Sequence, residues 1–303
     1  MTQDYVLCGW RVRSDITLSA LSHWKEGDRP PDIHISHTDK DSREIPAGAR
    51  QLSLLTWACE GGGWHLQVPQ LGAFTVHAGR EIAVRRCPTV MDEDLHAVLL
   101  GPVLAALCRQ RRLLPLRATT IAYGNGAVAI CGESGIGKSS LGWALARNGG
   151  RLISDGVSVL GIRSQTGQLR VHATHRGFQL WRAAVETLRI PPDEVVRTAA
   201  AVNRYAFWMH PSGFDASSVI PLRRIVIMCR RVTQPCILSG SDHPPAQQRL
   251  FNQLYLDGRY EGGLSQEELT SACSTICESV QLQMIPADGG VKAARVIGSE
   301  IAA

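Results

Sequence analysis

The N-terminal third of the chain contains short apolar stretches separated by polar or glycine-rich breaks. Stretches of this length and alternation predict β-strands, and breaks such as Gly27–Pro31 and Gly61–Gly63 predict the turns between them. Short strands favour a small sheet or sandwich, so residues 1–88 are predicted to form a β-rich N-terminal subdomain. The predicted strands are Tyr5–Val12, Asp32–Ser36, Leu52–Trp57, Trp64–Val68, Ala73–His77 and Glu81–Val84.

The apolar spacing becomes helical after residue 88. Leucine and valine recur every three or four positions over Met91–Arg112, which predicts a connecting helix at residues 89–113. Strands and helices alternate from there on, so residues 114–288 are predicted to form an α/β domain with a mixed sheet, followed by a flexible tail at 289–303. The predicted strands are Leu116–Ile121, Gly126–Cys131 and Ile225–Cys229, and the predicted helices are Phe178–Leu188, Gln247–Leu256 and Ser265–Val280.

Composition excludes several classes of protein. Of 303 residues, 44% are hydrophobic and 19% are charged, which is ordinary for a globular protein. The net charge of +5 comes without a dense basic block, so neither a nucleic acid nor a membrane is expected as a partner. Nine cysteines lack zinc or redox spacing, Met1–Asp4 is polar, and the longest apolar run, Ala97–Cys108, is too short to span a bilayer. A cytoplasmic location is the expectation.

A glycine-rich stretch, Cys131–Ser140, follows the strand predicted at Gly126–Cys131 and precedes a helical pattern. It fits the P-loop (Walker A) pattern of Gly, four residues and Gly-Lys-Ser. In this order, backbone N–H groups and a helix N-terminus can hold phosphate, Lys138 can reach the β- and γ-phosphates, and Ser139 can ligate Mg²⁺. The alternative is a glycine-rich turn without a ligand. The predicted nucleotide-binding residues are Gly132, Glu133, Ser134, Gly135, Ile136, Gly137, Lys138, Ser139 and Ser140.

One carboxylate, Asp155, ends the apolar stretch that follows this helix, 17 residues after Lys138. An acidic group there can hold Mg²⁺ and accept the proton of an attacking hydroxyl. Asp155 is therefore predicted as a metal ligand with Ser139, and as a catalytic residue with Lys138. The alternative is an ordinary Asp-Gly turn with a solvated side chain. The histidines show no spacing that assigns them a role.

Three segments, Leu116–Ile121, Gly132–Ser139 and Gly150–Val157, carry a family resemblance. They resemble motifs of the HPr kinase/phosphorylase-like kinases, which are P-loop kinases related in fold to phosphoenolpyruvate carboxykinase. The opening from Gly9 to Asp15 resembles stand-alone kinases of this group, some of which phosphorylate a serine of ribosomally made peptides, including lasso peptide precursors. The resemblance implies a kinase core of that type, with ATP and Mg²⁺ as cofactors.

The chain departs from the family pattern at two positions. Gly156 replaces the second aspartate of the family's pair, so a water or Glu133 would take over its role at the metal. Arg117 replaces a histidine, which puts the reverse, phosphorolytic reaction in doubt. Arg117 is predicted as a catalytic residue that contacts phosphate or a substrate carboxylate, with pairing to a structural acid as the alternative.

Other arginines are candidates for neutralising the charge of the γ-phosphate. Arg176 is the preferred one, because it lies in a family-like segment, and it is included among the predicted catalytic residues. Arg204 and the pair Arg223–Arg224 are further candidates.

These observations predict an ATP-dependent kinase that transfers the γ-phosphoryl group to a hydroxyl. The resemblance implies that the acceptor is a serine of a lasso-type precursor peptide or of a small protein. Two alternatives stay open: a kinase that phosphorylates a small metabolite, and a nucleotide-binding regulator without transfer activity.

Overall fold

The computed structural model describes most of the chain and forms three sheets and six α-helices within the described residues. The fold is mixed α/β, which confirms the predicted class at that level. None of these helices combines the length and hydropathy that crossing a bilayer requires. The described residues are 2–25, 27–38, 45–124, 126–162, 168–175, 177–191, 195–198, 204–208, 217–238, 244–255 and 262–287.

The first sheet is formed by nine strands from the N-terminal part of the chain, in the order β3-β1-β2-β4-β9-β8-β7-β6-β5. Most neighbours are antiparallel, but β4 runs parallel to both β2 and β9. The strands are β1 (Gln3–Leu7), β2 (Trp10–Ser14), β3 (Ser22–His23), β4 (Ile33–His37), β5 (Arg50–Ser53), β6 (Thr56–Cys59), β7 (Gly63–Val68), β8 (Gly72–His77) and β9 (Glu81–Arg86).

Two of the predicted strands are hairpins instead. The stretch Tyr5–Val12 turns at Cys8 and Gly9, whose φ angles of 55° and 77° suit a tight hairpin turn between β1 and β2. The stretch Leu52–Trp57 is divided between β5 and β6, which pair antiparallel. In both places the apolar run continues through the turn, so the pattern hides the reversal.

The connecting helix is broken into two parts. Helix α1 (Asp92–Val98) and helix α2 (Leu104–Gln110) are joined by a π-helical segment, Leu99–Val103. Gly101 has non-helical angles, φ −109° and ψ −111°, and Pro102 lacks the N–H that a regular helix needs there. The prediction of one continuous helix over Met91–Arg112 is therefore wrong at its centre.

The second sheet has nine strands and mixed pairing, with β12 and β21 each parallel to β19. Its order is β10-β14-β15-β19-β12-β11-β13, and β21 joins β19 to β20. The strands are β10 (Leu114–Leu116), β11 (Ala118–Tyr123), β12 (Gly126–Cys131), β13 (Arg151–Ser154), β14 (Ser158–Ile162), β15 (Leu169–His172), β19 (Val219–Cys229), β20 (Cys236–Leu238) and β21 (Gln281–Pro286).

A small third sheet has the order β16-β18-β17. The prediction of a helix over Phe178–Leu188 is half wrong, because its first residues form β16, where buried Phe178 and Leu180 alternate with more exposed side chains. The remaining elements are β16 (Gly177–Trp181), β17 (Val195–Thr198), β18 (Arg204–Trp208), α3 (Lys138–Arg147), α4 (Arg182–Thr187), α5 (Pro244–Phe251) and α6 (Gln266–Ser279).

Strand β12 lies inside the second sheet and separates two apolar clusters. Ala129 and Cys131 belong to the cluster that contains residues of α5 and α6. Val128 and Ile130 belong to the cluster that contains residues of α3. Because side chains alternate along a strand, β12 is buried on both faces, and its C-terminal end is a fixed platform for the segment that follows.

Candidate functional site

The segment after β12 is a tight glycine loop, Gly132–Gly137, that leads into α3 at Lys138. The φ angles of Gly132, Gly135 and Gly137 are 137°, 77° and 106°, in the range that favours glycine. A Cβ at Gly132 would lie 2.8 Å from the carbonyl oxygen of Met228. The loop therefore needs glycine for close packing as well as for its turn, and it ends at a helix N-terminus that can bind an anion.

Lys138 places its ammonium over the glycine loop. Its Nζ donates to the carbonyl oxygens of Gly132 at 2.9 Å and of Glu133 at 2.8 Å. These bonds hold the long side chain folded back along the loop instead of extended into solvent. A phosphate in the loop would meet a positive charge that is already in position.

Asp155 lies directly after β13 and is 4% exposed. Thr119 and Ser139 donate their hydroxyl protons to its Oδ1, at 2.6 Å and 2.8 Å. The backbone N–H of Gln179 donates to its Oδ2 at 2.8 Å. The structure therefore brings Asp155 and Ser139 together, and adds two partners that the sequence did not indicate.

The hydrogen bonds of Asp155 leave one lone-pair position on the carboxylate. Each carboxylate oxygen can accept two bonds, so Oδ1 is saturated and Oδ2 has one position left. Asp155 also lines a cleft between the described elements. Oδ2 can therefore accept a hydrogen bond from a hydroxyl in that cleft while the carboxylate keeps its three existing hydrogen bonds.

The donor set at this position fits magnesium. Ser139 Oγ donates its proton to Asp155 Oδ1 at 2.8 Å, so the lone pairs of this hydroxyl stay able to bind an ion, and the carboxylate fixes the hydroxyl in that orientation. The described residues contain no cluster of three His, Cys, Asp or Glu side chains. Mg²⁺ is commonly held by one or two protein oxygens together with substrate phosphates, and the Ser139 hydroxyl beside Asp155 can supply such an oxygen.

A network of buried hydroxyls supports the turn that carries Asp155. Ser158 Oγ is 2.7 Å from both Thr120 Oγ1 and Ser154 Oγ, and it donates to the carbonyl oxygen of Ala118 at 3.2 Å. A hydroxyl has one proton and two lone pairs, so Ser158 can satisfy all three bonds at once. The network ties β11, β13 and β14 together next to the carboxylate.

His175 is a buried neighbour of Asp155 to which the sequence pattern assigned no role. It is 2% exposed, and its Nδ1 lies 3.1 Å from Thr174 Oγ1. Burial lowers the pKa of His175, and the negative charge of Asp155 partly opposes this shift. Burial therefore favours the uncharged form of this ring, close to the carboxylate.

Arg117 lies between β10 and β11, with an exposed side chain. Its guanidinium carbon lies 4.6 Å from the centre of the Tyr255 ring, a cation–π contact. The six ion pairs found within the described residues do not include it, so the alternative to a ligand contact, pairing to a structural acid, is not formed there.

The segment after α5 supports both Arg117 and the glycine loop. Gln253 accepts the backbone N–H of Arg117 at its carbonyl oxygen, at 2.8 Å, and the backbone N–H of Gly132 at its side-chain Oε1, at 2.9 Å. Tyr255 N–H donates to the carbonyl oxygen of Pro115 at 2.8 Å. One short segment thus fixes the positions of two candidate site elements from far along the chain.

These groups share one open cleft of about 920 Å³. Its walls are the glycine loop, the turn at Asp155, the β16–α4 junction, the π-helical segment and the segment after α5. The lining residues are Ala97, Leu100, Gly101, Arg117, Gly132, Glu133, Ser134, Gly135, Gly137, Lys138, Ser139, Ser140, Asp155, Gly156, Gln179, Leu180, Trp181, Ala183, Ala184, Asn252, Gln253 and Tyr255.

The remaining predicted residues divide into three groups. Ile136 is 6% exposed and packs in the core with α3, so its side chain is not part of the cleft lining. Arg223 packs beside Gly126 at the start of β12, about 16 Å along the strand from the glycine loop, and neither Arg223 nor Arg224 is part of the described cleft lining. The position of Arg176 and the side chain of Arg204 lie outside the described residues.

Gly156, at the position of the family's second aspartate, also lines the cleft. Its φ is 85°, and no atom lies within 4 Å of the place where a Cβ would be. The site therefore has space for a side chain, but its backbone conformation favours glycine. The described lining contains two carboxylates, Glu133 and Asp155, and the predicted role of Glu133 at the metal stays a prediction.

No family model matches the chain, and a search of curated proteins finds no match. A search of solved structures finds one described as the HPr(Ser) kinase/phosphatase from Coxiella burnetii. The likeness covers 61% of this chain and 95% of that chain, with 12% sequence identity and a TM-score of 0.32.

Proposed function

We propose that the chain is an ATP-dependent kinase that transfers the γ-phosphoryl group to a hydroxyl. The observation that carries this proposal is the hydrogen bond between Ser139 and Asp155, next to a glycine loop that Lys138 spans. The proposed acceptor is a serine of a peptide or small protein, of the lasso precursor type. That part rests on the sequence resemblance described above.

Each residue has a separate task in the proposed reaction. The glycine loop and Lys138 bind the β- and γ-phosphates and offset their charge. The acceptor oxygen attacks the γ-phosphorus, the bond between that phosphorus and the β,γ-bridging oxygen breaks, and ADP leaves. Asp155 accepts the hydroxyl proton at Oδ2. Ser139 and Asp155 would hold Mg²⁺, Ser139 at its hydroxyl oxygen and Asp155 by fixing that hydroxyl, and the ion would supply further neutralisation of phosphate charge.

A kinase reaction can be tested with γ-labelled ATP, Mg²⁺ and a panel of serine peptides. Label transfer is expected from the natural chain, and the Asp155→Asn and Lys138→Ala variants are expected to lose it by about a hundredfold or more. Glu267→Gln, which changes an exposed carboxylate on α6, is the control and should retain transfer. Equal transfer by Asp155→Asn and the natural chain would contradict the proposal.

A nucleotide-binding regulator is the second candidate. Gly156 favours it, because this glycine stands where the kinases that the sequence resembles have a second aspartate, and it supplies no carboxylate. A regulator would bind ATP with an affinity that falls in Lys138→Ala, yet it would transfer no label to a peptide, a small hydroxyl compound or water.

A further inference from the structure

The described lining of the cleft contains two cationic side chains, Lys138 and Arg117. Lys138 belongs to the glycine loop, where the loop N–H groups and the N-terminus of α3 also favour a triphosphate. Arg117 belongs to a different wall, which is held by Gln253 and Tyr255. The cleft therefore has a second cationic position that the glycine loop does not supply.

The ring of Tyr255 restrains the guanidinium of Arg117, whose carbon lies 4.6 Å from the ring centre. The five N–H donors of a guanidinium lie in the plane of the group, so contact of its carbon with a ring leaves N–H donors able to bind a carboxylate or phosphoryl group with two parallel bonds. Among the described residues, no acidic side chain forms an ion pair with it. Its exposure and its place in the cleft lining suit a ligand group better than an internal partner.

The position of Arg117 in the chain links it to the reacting hydroxyl. Arg117 is two residues before Thr119, so their Cα atoms are at most about 7 Å apart. Thr119 donates to Asp155 at 2.6 Å, and Asp155 is the proposed acceptor of the hydroxyl proton. A compound whose hydroxyl meets Asp155 can therefore present an anionic group, a few bonds from that hydroxyl, to Arg117.

We infer that Arg117 and Tyr255 form an acceptor subsite that selects a serine with a carboxylate close to its hydroxyl. The carboxylate can be the C-terminus of the peptide or the side chain of an acidic neighbour. This inference rests on the proposed function for the identity of the acceptor, but binding can be measured without any transfer of phosphate.

The test uses four fluorescently labelled peptides of equal length and the full chain saturated with Mg²⁺ and a non-hydrolysable ATP analogue. Two peptides end in serine, with a free carboxylate or an amide. The other two contain an internal serine, with aspartate or asparagine beside it. Fluorescence anisotropy gives each Kd, and the Arg117→Gln, Arg117→Lys and Arg147→Gln variants are compared. Arg147 is the matched control, because it is exposed and its guanidinium also lies over an aromatic ring, Trp143.

In one of the two pairs, or in both, the peptide with the carboxylate is expected to bind about ten- to a hundredfold more tightly than the peptide without it. Arg117→Gln should reduce this ratio to near one, Arg117→Lys should keep part of it, and Arg147→Gln should keep all of it. The two pairs show which source of carboxylate is used. Ratios near one in the natural chain, no peptide binding, or ratios that Arg117→Gln leaves unchanged would overturn the inference.

The peptide-binding experiment, the label-transfer assay and a titration with the ATP analogue together keep the two proposals apart. If carboxylate-dependent binding is found but no labelled phosphate is transferred, the subsite stands and the kinase proposal fails. If Arg117→Gln weakens binding of the ATP analogue and leaves the peptide ratio unchanged, Arg117 contacts the nucleotide, and the subsite inference fails while the kinase proposal stands.

Discussion

At the scale of single residues, the orientation of Asp155 is decided by groups from three other segments. The hydroxyls of Thr119 and Ser139 donate to Oδ1, and the backbone N–H of Gln179 donates to Oδ2. These bonds fix the positions of both carboxylate oxygens. Hydrogen bonds to a carboxylate are worth about 1.5–3 kcal/mol each, more than neutral ones. The direction of the remaining lone pair is therefore set before a substrate binds.

Replacing Thr119 by valine tests this account of Asp155. Valine keeps the shape of threonine but removes the bond to Oδ1, so the carboxylate is expected to lose its orientation and phosphoryl transfer to fall about tenfold. Transfer rates and the free energy of unfolding should be measured together. Thr119→Ser keeps the hydroxyl and should retain most of the activity. A fully active valine variant would contradict the positioning role.

At the scale of elements, α3 approaches β11 closely at Gly142. A Cβ at this glycine would lie 2.5 Å from Thr119 Cγ2 and 3.2 Å from Phe178 Cε1. Both neighbours are fully buried, so neither can move easily. The close approach places the helix N-terminus and the strand that supports Asp155 in contact.

Gly142→Ala is expected to destabilise the protein despite the better helix propensity of alanine. The propensity gain is about 1 kcal/mol, whereas the clash in a packed core costs about 1–3 kcal/mol. The free energy of unfolding, from urea titration, checks the sign. In the double variant Gly142→Ala/Thr119→Ser, the clashing methyl group is absent and the hydroxyl is kept, so stability should recover. If the single variant were more stable than the natural chain, the close packing would be disproved.

At the scale of the whole molecule, three histidines lie in different parts of the fold and share one electrostatic property. Burial lowers the pKa of His65 in the first sheet, of His172 on β15 and of His175 beside Asp155. A lowered pKa in the folded state means that the unfolded chain binds more protons below pH 6.5, the ordinary value. Stability from these groups is then complete above that pH and is lost as the pH falls below it.

The free energy of unfolding is therefore expected to decrease from pH 6.5 towards pH 5, by up to about 1.4 kcal/mol per pH unit for each histidine. Chemical denaturation over pH 5–8 measures this slope. His65→Gln should make the slope shallower, because burial alone shifts the pKa of His65. His34→Gln, which removes an exposed ring from β4, is the matched control. A slope unchanged by His65→Gln would contradict the prediction.

Local features of this chain could be predicted from the sequence. The glycine loop, Lys138 and Ser139 lie within a few residues of one another, and Asp155 follows at the end of the next strand. The arrangement of the loop, Lys138 and Ser139 depends on the backbone of one strand, one loop and one helix, which the pattern of glycine and apolar residues determines locally, whereas Asp155 follows a second strand and meets Ser139 through tertiary packing. The strand regions of the N-terminal sheet were predictable for the same reason, although two hairpin turns inside apolar runs were not.

Only the tertiary structure decided which distant groups complete the cleft. Gln253 and Gly132 are 121 residues apart, and neither spacing nor residue type signals their hydrogen bond. Tyr255 contacts Arg117, and His175 is close enough to Asp155 for their charges to interact. Both contacts depend on the order in which the strands pair. That order depends on the burial of many side chains at once, so a short motif carries no information about it. The sequence determined how a phosphate can be held, and the packing of the whole chain determined what surrounds it.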